Sequence, residues 1–215
     1  LERWGQKGQS VPHERLSVSG FEEVDDGVLR AIESARPSLV VQGTHARKGL
    51  LRVLGGSVAE GVARNSPVPV LLLPERAAGL VDAQTGEITL RRAVVAAGNE
   101  QDTTLALEAL ALVAKLAGRD DVGAVEAVLV HVGDEASAPR QRVPAPLAAR
   151  TQLATGAIEA AVVKAAKDGD ASLVVMTSHG HDDLIDVLLS SHTERVLHAI
   201  HCPLLWVPSR WRAHA

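Results

Sequence analysis

Residues 38–74 and 172–208 are two versions of one segment. Ser38-Leu39-Val40-Val41 matches Ser172-Leu173-Val174-Val175, and His45 matches His179. The register runs on without a gap through Leu50/Leu184, Val53-Leu54/Val187-Leu188, Ser57/Ser191 and Glu60/Glu194. It ends with Val62/Val196, Pro69/Pro203, Leu71/Leu205 and Pro74/Pro208, which makes 14 of 37 positions identical at a constant offset of 134. Self-similarity at a fixed offset marks a tandem duplication, so whatever these segments build, the chain builds it twice.

Each copy carries the same pattern. Leu39–Val41 and Leu173–Met176 are short continuous apolar runs, as buried parallel strands require. A loop follows, then Ser-x-x-Glu (Ser57/Glu60 and Ser191/Glu194), the capping-box signature of a helix start. Pro69–Pro74 and Pro203–Pro208 then read as second apolar strands bounded by prolines. Ahead of the first strand lies a helix, Glu22–Ala35 in copy one and Ala157–Asp168 in copy two. Copy two has an earlier part as well: a strand at Arg92–Ala97, an Ala/Leu-rich helix at Asp102–Leu116 and a strand at Ala124–Val132 ending next to His131. Gly133–Arg150 contains Pro139, Pro144 and Pro146 and reads as a loop where a further helix is expected, with a short strand at Thr151–Thr155 after it. Alternating strands and helices predict a parallel α/β sheet. The predicted division is 1–76 for the later part of a first domain, 77–89 for a linker with a turn at Thr85-Gly86, 90–208 for a second domain, and 209–215 for a tail.

Composition narrows the function classes. Apolar residues make up 46% of the chain and charged residues 22%, which supports a packed core. A net charge of −4 without clustered Lys/Arg, and aromatic residues at only 2%, argue against nucleic-acid binding. The single cysteine, Cys202, excludes an intramolecular disulfide framework and fits a reducing, cytoplasmic setting. No apolar run approaches the roughly 18 residues a membrane span needs.

Gly43-Thr44-His45-Ala46-Arg47-Lys48-Gly49 through Gly55-Gly56-Ser57-Val58-Ala59-Glu60, closing on Pro69–Pro74, resembles the universal stress protein family. That family's nucleotide motif is Gly, two residues, Gly, nine residues, Gly, then Ser or Thr. Gly43, Ala46, Gly56 and Ser57 hold its four positions in copy one, and Thr177, Gly180, Ser190 and Ser191 hold them in copy two. The resemblance implies two tandem domains of the adenine nucleotide alpha-hydrolase-like type. Each would be a five-stranded parallel sheet of order 3-2-1-4-5 flanked by helices. Copy one would then hold only strands 3, 4 and 5, and the first domain is incomplete in this chain. The reading that follows is an N-terminal piece of about 70–80 residues preceding Leu1, judged by ordinary domain size; the other is a partner chain that completes copy one. Because family dimers pair through the last strand, Val68–Leu73 and Cys202–Val207 are expected to face each other as an intramolecular pseudo-dimer, and two such chains could still form a homodimer.

A glycine loop running into a helix start is an anion site, because unpaired N–H groups and the helix dipole favour negative charge. The resemblance implies ATP, with Mg2+, at the copy one loop, where Arg47, Lys48 and Arg52 are cationic. Ala46 departs from the motif, and its methyl crowds any position needing positive φ. Copy two is expected to be a degenerate site. Its third glycine is Ser190, Asp182, Asp183 and Asp186 repel a triphosphate, and the Asp expected after strand 1 falls at Gly98. Asn99 or Glu100 could replace it only with a shifted loop. The capping boxes alone also account for Ser57 and Ser191. His179, His181, Asp182 and Asp183 crowd one loop, and His198, His201 and Cys202 have helix-like metal-ligand spacing. Loop and surface histidines, with Cys202 as a small core hydrophobe, remain the reading, and no metal is assigned. Nothing nominates a catalytic base or nucleophile. The expected function is stress-related binding and regulation, not enzymatic turnover. A ligand-free interaction module and a slow nucleotide hydrolase are the alternatives.

Overall fold

A computed structural model describes residues 14–17, 19–20, 23–44, 58–74, 77, 79–82, 84–118, 125–178 and 195–212 of the chain. The elements run α1 (Val24–Ala35), β1 (Val40–Thr44), α2 (Val58–Asn65), β2 (Val70–Pro74), β3 (Arg92–Ala96), α3 (Glu100–Leu116), β4 (Val125–Val132), β5 (Leu147–Ala154), α4 (Ile158–Asp168), β6 (Leu173–Ser178) and β7 (Leu204–Pro208). All seven strands lie in one sheet of order β1-β2-β7-β6-β3-β4-β5. Every pairing is parallel except β2 with β7. Within copy two the order from the outer edge is β5-β4-β3-β6-β7, which is the expected 3-2-1-4-5.

The duplication is visible in the backbone. Helix α1 starts at Val24 and α4 at Ile158, 134 residues apart, and β2 and β7 coincide on the same offset. Arg36 and Asp170, equivalent positions after those helices, both adopt φ 47°. The Val40 N–H donates to the Pro69 carbonyl at 3.0 Å, and the Val174 N–H donates to the Pro203 carbonyl at 3.0 Å. In the antiparallel pairing Leu71 faces Leu205, its own equivalent, with Val70 opposite Trp206 and Leu72 opposite Leu204. A residue facing its own repeat is the signature of a two-fold relation between the copies.

Two apolar layers sandwich the sheet. One packs Leu105, Leu107, Leu110, Val113 and the other α3 residues, together with Leu90 and Trp211, on Leu71, Val95, Leu173, Val175 and Leu205. The other packs α2 (Ala59, Ala63), α4 (Val162, Ala165, Ala166), and Val196, Leu197 and Ile200 on Val70, Leu72, Val94, Val174, Leu204 and Trp206. Both layers span the β2–β7 junction. Between the copies, the Val81–Ile88 bridge closes a hairpin. Its turn is held by the Asp82 carboxylate, which accepts from the Gln84 and Thr85 N–H groups, and Gly86 supplies φ 74°. These bonds, those from Thr85 and Gln84 above all, hold Asp82 below the usual carboxylate pKa range.

Several expectations are corrected. Copy one contributes two strands among the described residues, not three, because residues 14–17 and 19–20 form no strand. Strand β5 begins at Leu147, four residues before the expected Thr151. Helix α3 begins at Glu100, two residues early, because Asn99 caps it: its side chain accepts from the Asp102 N–H at 2.9 Å. As its three prolines suggest, the segment between β4 and β5 is a loop and forms no helix. Ser57, Ser191 and Glu194 lie outside the described residues.

Candidate functional site

Strand order reverses between β3 and β6, and the crevice beyond their carboxyl ends is where ligands settle on open α/β sheets. In copy two that crevice is framed by Ala97-Gly98-Asn99 after β3, His131 at the end of β4, and Thr177 at the end of β6. Gly98 is exposed, and a Cβ there would meet nothing within 4 Å, so space for a side chain exists but no carboxylate fills it. Asn99 does not substitute. Its Oδ1 caps α3 and its Nδ2 donates to Asp102 Oδ2 at 2.6 Å. Glu100 lies in the first turn of α3, where its carbonyl accepts from Gln141 Nε2 at 2.9 Å and Thr104 Oγ1 at 2.8 Å. At the end of β3, therefore, Gly98 supplies no side chain and the Asn99 side chain is engaged in capping α3.

His131 is a structural anchor of this crevice. It is buried, with Nδ1 2.8 Å from the Ala97 carbonyl and Nε2 3.1 Å from Ser137 Oγ. A carbonyl only accepts, so Nδ1 carries a proton toward Ala97. Gly133 sits against this pair at φ 151°. A Cβ there would come 2.7 Å from His131 Nε2 and 2.8 Å from Ser137 Oγ. Asp134 closes the turn, and the Ser137 hydroxyl and N–H bonds hold its carboxyl below the usual range. The sequence places His131 at a strand end but does not show its partners, because Ala97 lies 34 residues away.

The loop after β4 also bounds an open trough of about 650 Å³ on the α3 side of the sheet. Leu129, Ala149 and Leu153 line it together with Arg140 and Arg150. Arg150 is engaged through Nε with Glu126 Oε1 at 2.8 Å, while Arg92 Nε holds the other carboxylate oxygen at 2.6 Å. Arg150 first, then Arg92, lowers the Glu126 pKa.

In copy one, Gly43 and Thr44 end β1, and α2 begins at Val58. The loop is thus bracketed by a strand's carboxyl end and a helix's amino end, the arrangement that suits a phosphate. Ala46, Arg47, Gly56 and Ser57, like Gly180, Ser190 and Ser191 of copy two, lie outside the described residues, as does the histidine loop His179–Asp183. The other histidines are placed. His198 Nε2 lies 3.7 Å from Glu60 Oε1, and His201 is exposed. Cys202 is buried in the core, and burial raises its thiol to about 11, so the free side chain is protonated at neutral pH. No group of His, Cys, Asp and Glu suited to a metal occurs among the described residues, and none of their helices is long and apolar enough to cross a membrane.

The profile of the Universal stress protein family matches residues 2–74 and 81–208. Among solved structures, a universal stress protein from Archaeoglobus fulgidus DSM 4304 is similar at TM-score 0.61 and 20% identity, covering 86% of this chain and 64% of its own. A functionally unknown protein from Pseudomonas aeruginosa PAO1 gives 0.58 and 10% identity, covering 88% of this chain and 69% of its own. A putative universal stress protein from Pseudomonas aeruginosa UCBPP-PA14 gives 0.57 and 10%, covering 87% and 69%. The chain thus spans under two thirds of the Archaeoglobus protein's length. No curated protein matches it.

Proposed function

Since the chain belongs to the universal stress protein family, we propose that it is a tandem member that acts by binding and regulation rather than by turning a substrate over. The observation that carries this reading is the β2–β7 junction. Val70, Leu72, Leu204, Leu205 and Trp206 are fully buried there, and Leu71 pairs with its own equivalent. We read that junction as an intramolecular pseudo-dimer that replaces an association of two chains, with copy two as its scaffold.

The ligand of the first copy, on this reading, is an adenine nucleotide with Mg2+. Gly43 at the end of β1, the amino end of α2, and Arg47, Lys48 and Arg52 in the loop between them supply the anion chemistry. Copy two supports no second nucleotide, because Gly98 offers no carboxylate and Asn99 is committed to capping. Those same two residues favour the second reading, a ligand-free interaction module.

Calorimetric titration with Mg-ATP separates the two. The expected result is at most one site per chain, abolished by Gly56→Glu and unaffected by Gly180→Glu. Loss from Gly180→Glu with binding kept in Gly56→Glu would transfer the site to copy two, and no heat at millimolar ATP would leave the interaction module. Phosphate release tracking a named acid or base would instead make the protein an enzyme.

A further inference from the structure

Strand β5 ends the sheet on the copy two side, with β4 as its one neighbour among the described residues. It runs in unbroken register with β4, and no proline or lysine interrupts it. Open edges are commonly blunted by prolines, bulges or unpaired charges. The one charge in β5 is Arg150, and it is paired: its Nε lies 2.8 Å from Oε1 of Glu126 on β4. The flanking helices lie elsewhere. Helix α3 packs mainly on β3, β6 and β7, and α4 mainly on β3, β4 and β6. Leu153, near the end of β5, is left 48% exposed.

The backbone shows which groups of this edge are free. The Pro146 carbonyl accepts from the Val125 N–H and the Ala154 carbonyl from the Gly133 N–H, so the even-numbered residues face β4. Along a parallel strand the sides alternate, which turns the N–H and C=O of Leu147, Ala149, Thr151 and Leu153 to the open edge. The Leu147 N–H is already engaged, donating to the Pro144 carbonyl at 3.0 Å. Ala149, Thr151 and Leu153 remain, with Thr151 at their centre.

We propose that this edge pairs with the same edge of a second copy of the chain, antiparallel about a two-fold axis at Thr151. The register follows from the free groups. Thr151 lies opposite its own equivalent, Ala149 opposite the partner's Leu153, and Arg150 opposite the partner's Gln152. Each Ala149–Leu153 pair covers apolar surface that is open in the single chain, and a threonine pair and a guanidinium–amide pair are compatible across strands. A one-residue shift would centre the pairing on Arg150 and set two guanidinium groups against each other, which is destabilising. A second copy is the occupant because the edge is complementary to itself, as a closed two-fold interface requires. The molecule already joins strands in this way at β2–β7, where Leu71 pairs with its own equivalent. Ala149 and Leu153 also line the trough, so the pairing sets two troughs side by side.

Sedimentation velocity of the full chain over a wide range of concentration tests the proposal. Standard interfaces bury about 1,600 Å² and a single strand pair buries less, so the expected association is weak. The average mass should rise with concentration from one chain toward two and stop there. Thr151→Pro should weaken association roughly tenfold or more, because it deletes one edge N–H from each copy. That N–H does not face β4, so the dilute variant should keep the circular dichroism of the parent. A second measurement does not depend on the proline variant. Opposed strand residues have Cα atoms about 5.5 Å apart, within disulfide reach, so Thr151→Cys should cross-link two chains under mild oxidation. Ala148→Cys, away from the axis, should not, nor should the parent, whose Cys202 is buried. A chain that stays monomeric at every concentration would overturn the proposal, as would a mass that climbs past two or association that the proline variant leaves intact. Equal cross-linking at 148 and 151 would overturn the register and with it the two-fold pairing.

Discussion

Cys202 shows how far a single side chain depends on where the repeat places it. Its equivalent is Val68, and the sequence gives no reason to expect a reactive thiol at a position the other copy fills with valine. Burial is the main cause that pushes the thiol from 9.0 to about 11. Below pH 9 the thiol is protonated in both folded and unfolded chains and adds no pH dependence. Between pH 9 and 11 the unfolded chain releases the proton and the folded one keeps it, so stability falls as pH rises through that window. The fall between pH 8 and 10.5 should be about 2 kcal/mol, at 1.36 kcal/mol for each pKa unit. The chain has no tyrosine, which removes the usual competing titration at this pH. Urea unfolding at both pH values checks it: Cys202→Ala should be less stable at pH 8, through a lost core contact, yet lose less on going to pH 10.5. An equal loss in both proteins would mean that the thiol is not the group responsible.

Secondary structure was legible in the sequence where burial is two-sided. Strands β3, β4, β6 and β7 read as apolar runs because both faces of the sheet are covered there, which confines polar residues such as Arg92, Glu126, His131 and Thr177 to positions near the strand ends. At the sheet edge this fails. Strand β5 carries Arg150, Thr151 and Gln152 in the middle of its length, so only its last residues read as a strand. The proposed phosphate loops were legible as spacing, but His131 was not legible as an anchor, since its role depends on a carbonyl supplied by another strand end. Helix α3 starts two residues ahead of its Ala/Leu-rich run because Asn99 caps it, and the Asn99–Asp102 pair is an N-terminal signal present in the sequence. That cap gives a test at the level of the element. Asn99→Ala should cost about 1 kcal/mol, the usual value of an N-cap side chain. Asn99→Ser, which keeps an acceptor for the Asp102 N–H, should recover most of it. Denaturant midpoints of the three proteins decide; identical midpoints would show that Asn99 is free for another role in the crevice.

Whether two copies make one molecule or two joined ones is decided at the β2–β7 junction. A parallel sheet ending at β7 would expose that strand's outer edge, and the same holds for β2, so each copy closes the other's edge. The core layers cross the junction with it: Leu72 of copy one and Leu204 and Trp206 of copy two are fully buried in the same cluster. Damage in either copy should therefore be felt by both. Leu72→Ala removes a fully buried side chain opposite Leu204, and such truncations cost 2–5 kcal/mol. In a Trp4→Phe background, the fluorescence of Trp206 and Trp211 comes from copy two side chains and its junction, while far-UV circular dichroism reports the whole chain. Coincident unfolding by the two probes, shifted together by Leu72→Ala, is what a single cooperative unit requires. A first circular-dichroism transition that moves with the substitution, followed by a fluorescence transition that does not, would make the copies independent folding units. The pairing of Leu71 with Leu205 would then be contact without thermodynamic coupling, and copy two could not serve as the scaffold for copy one.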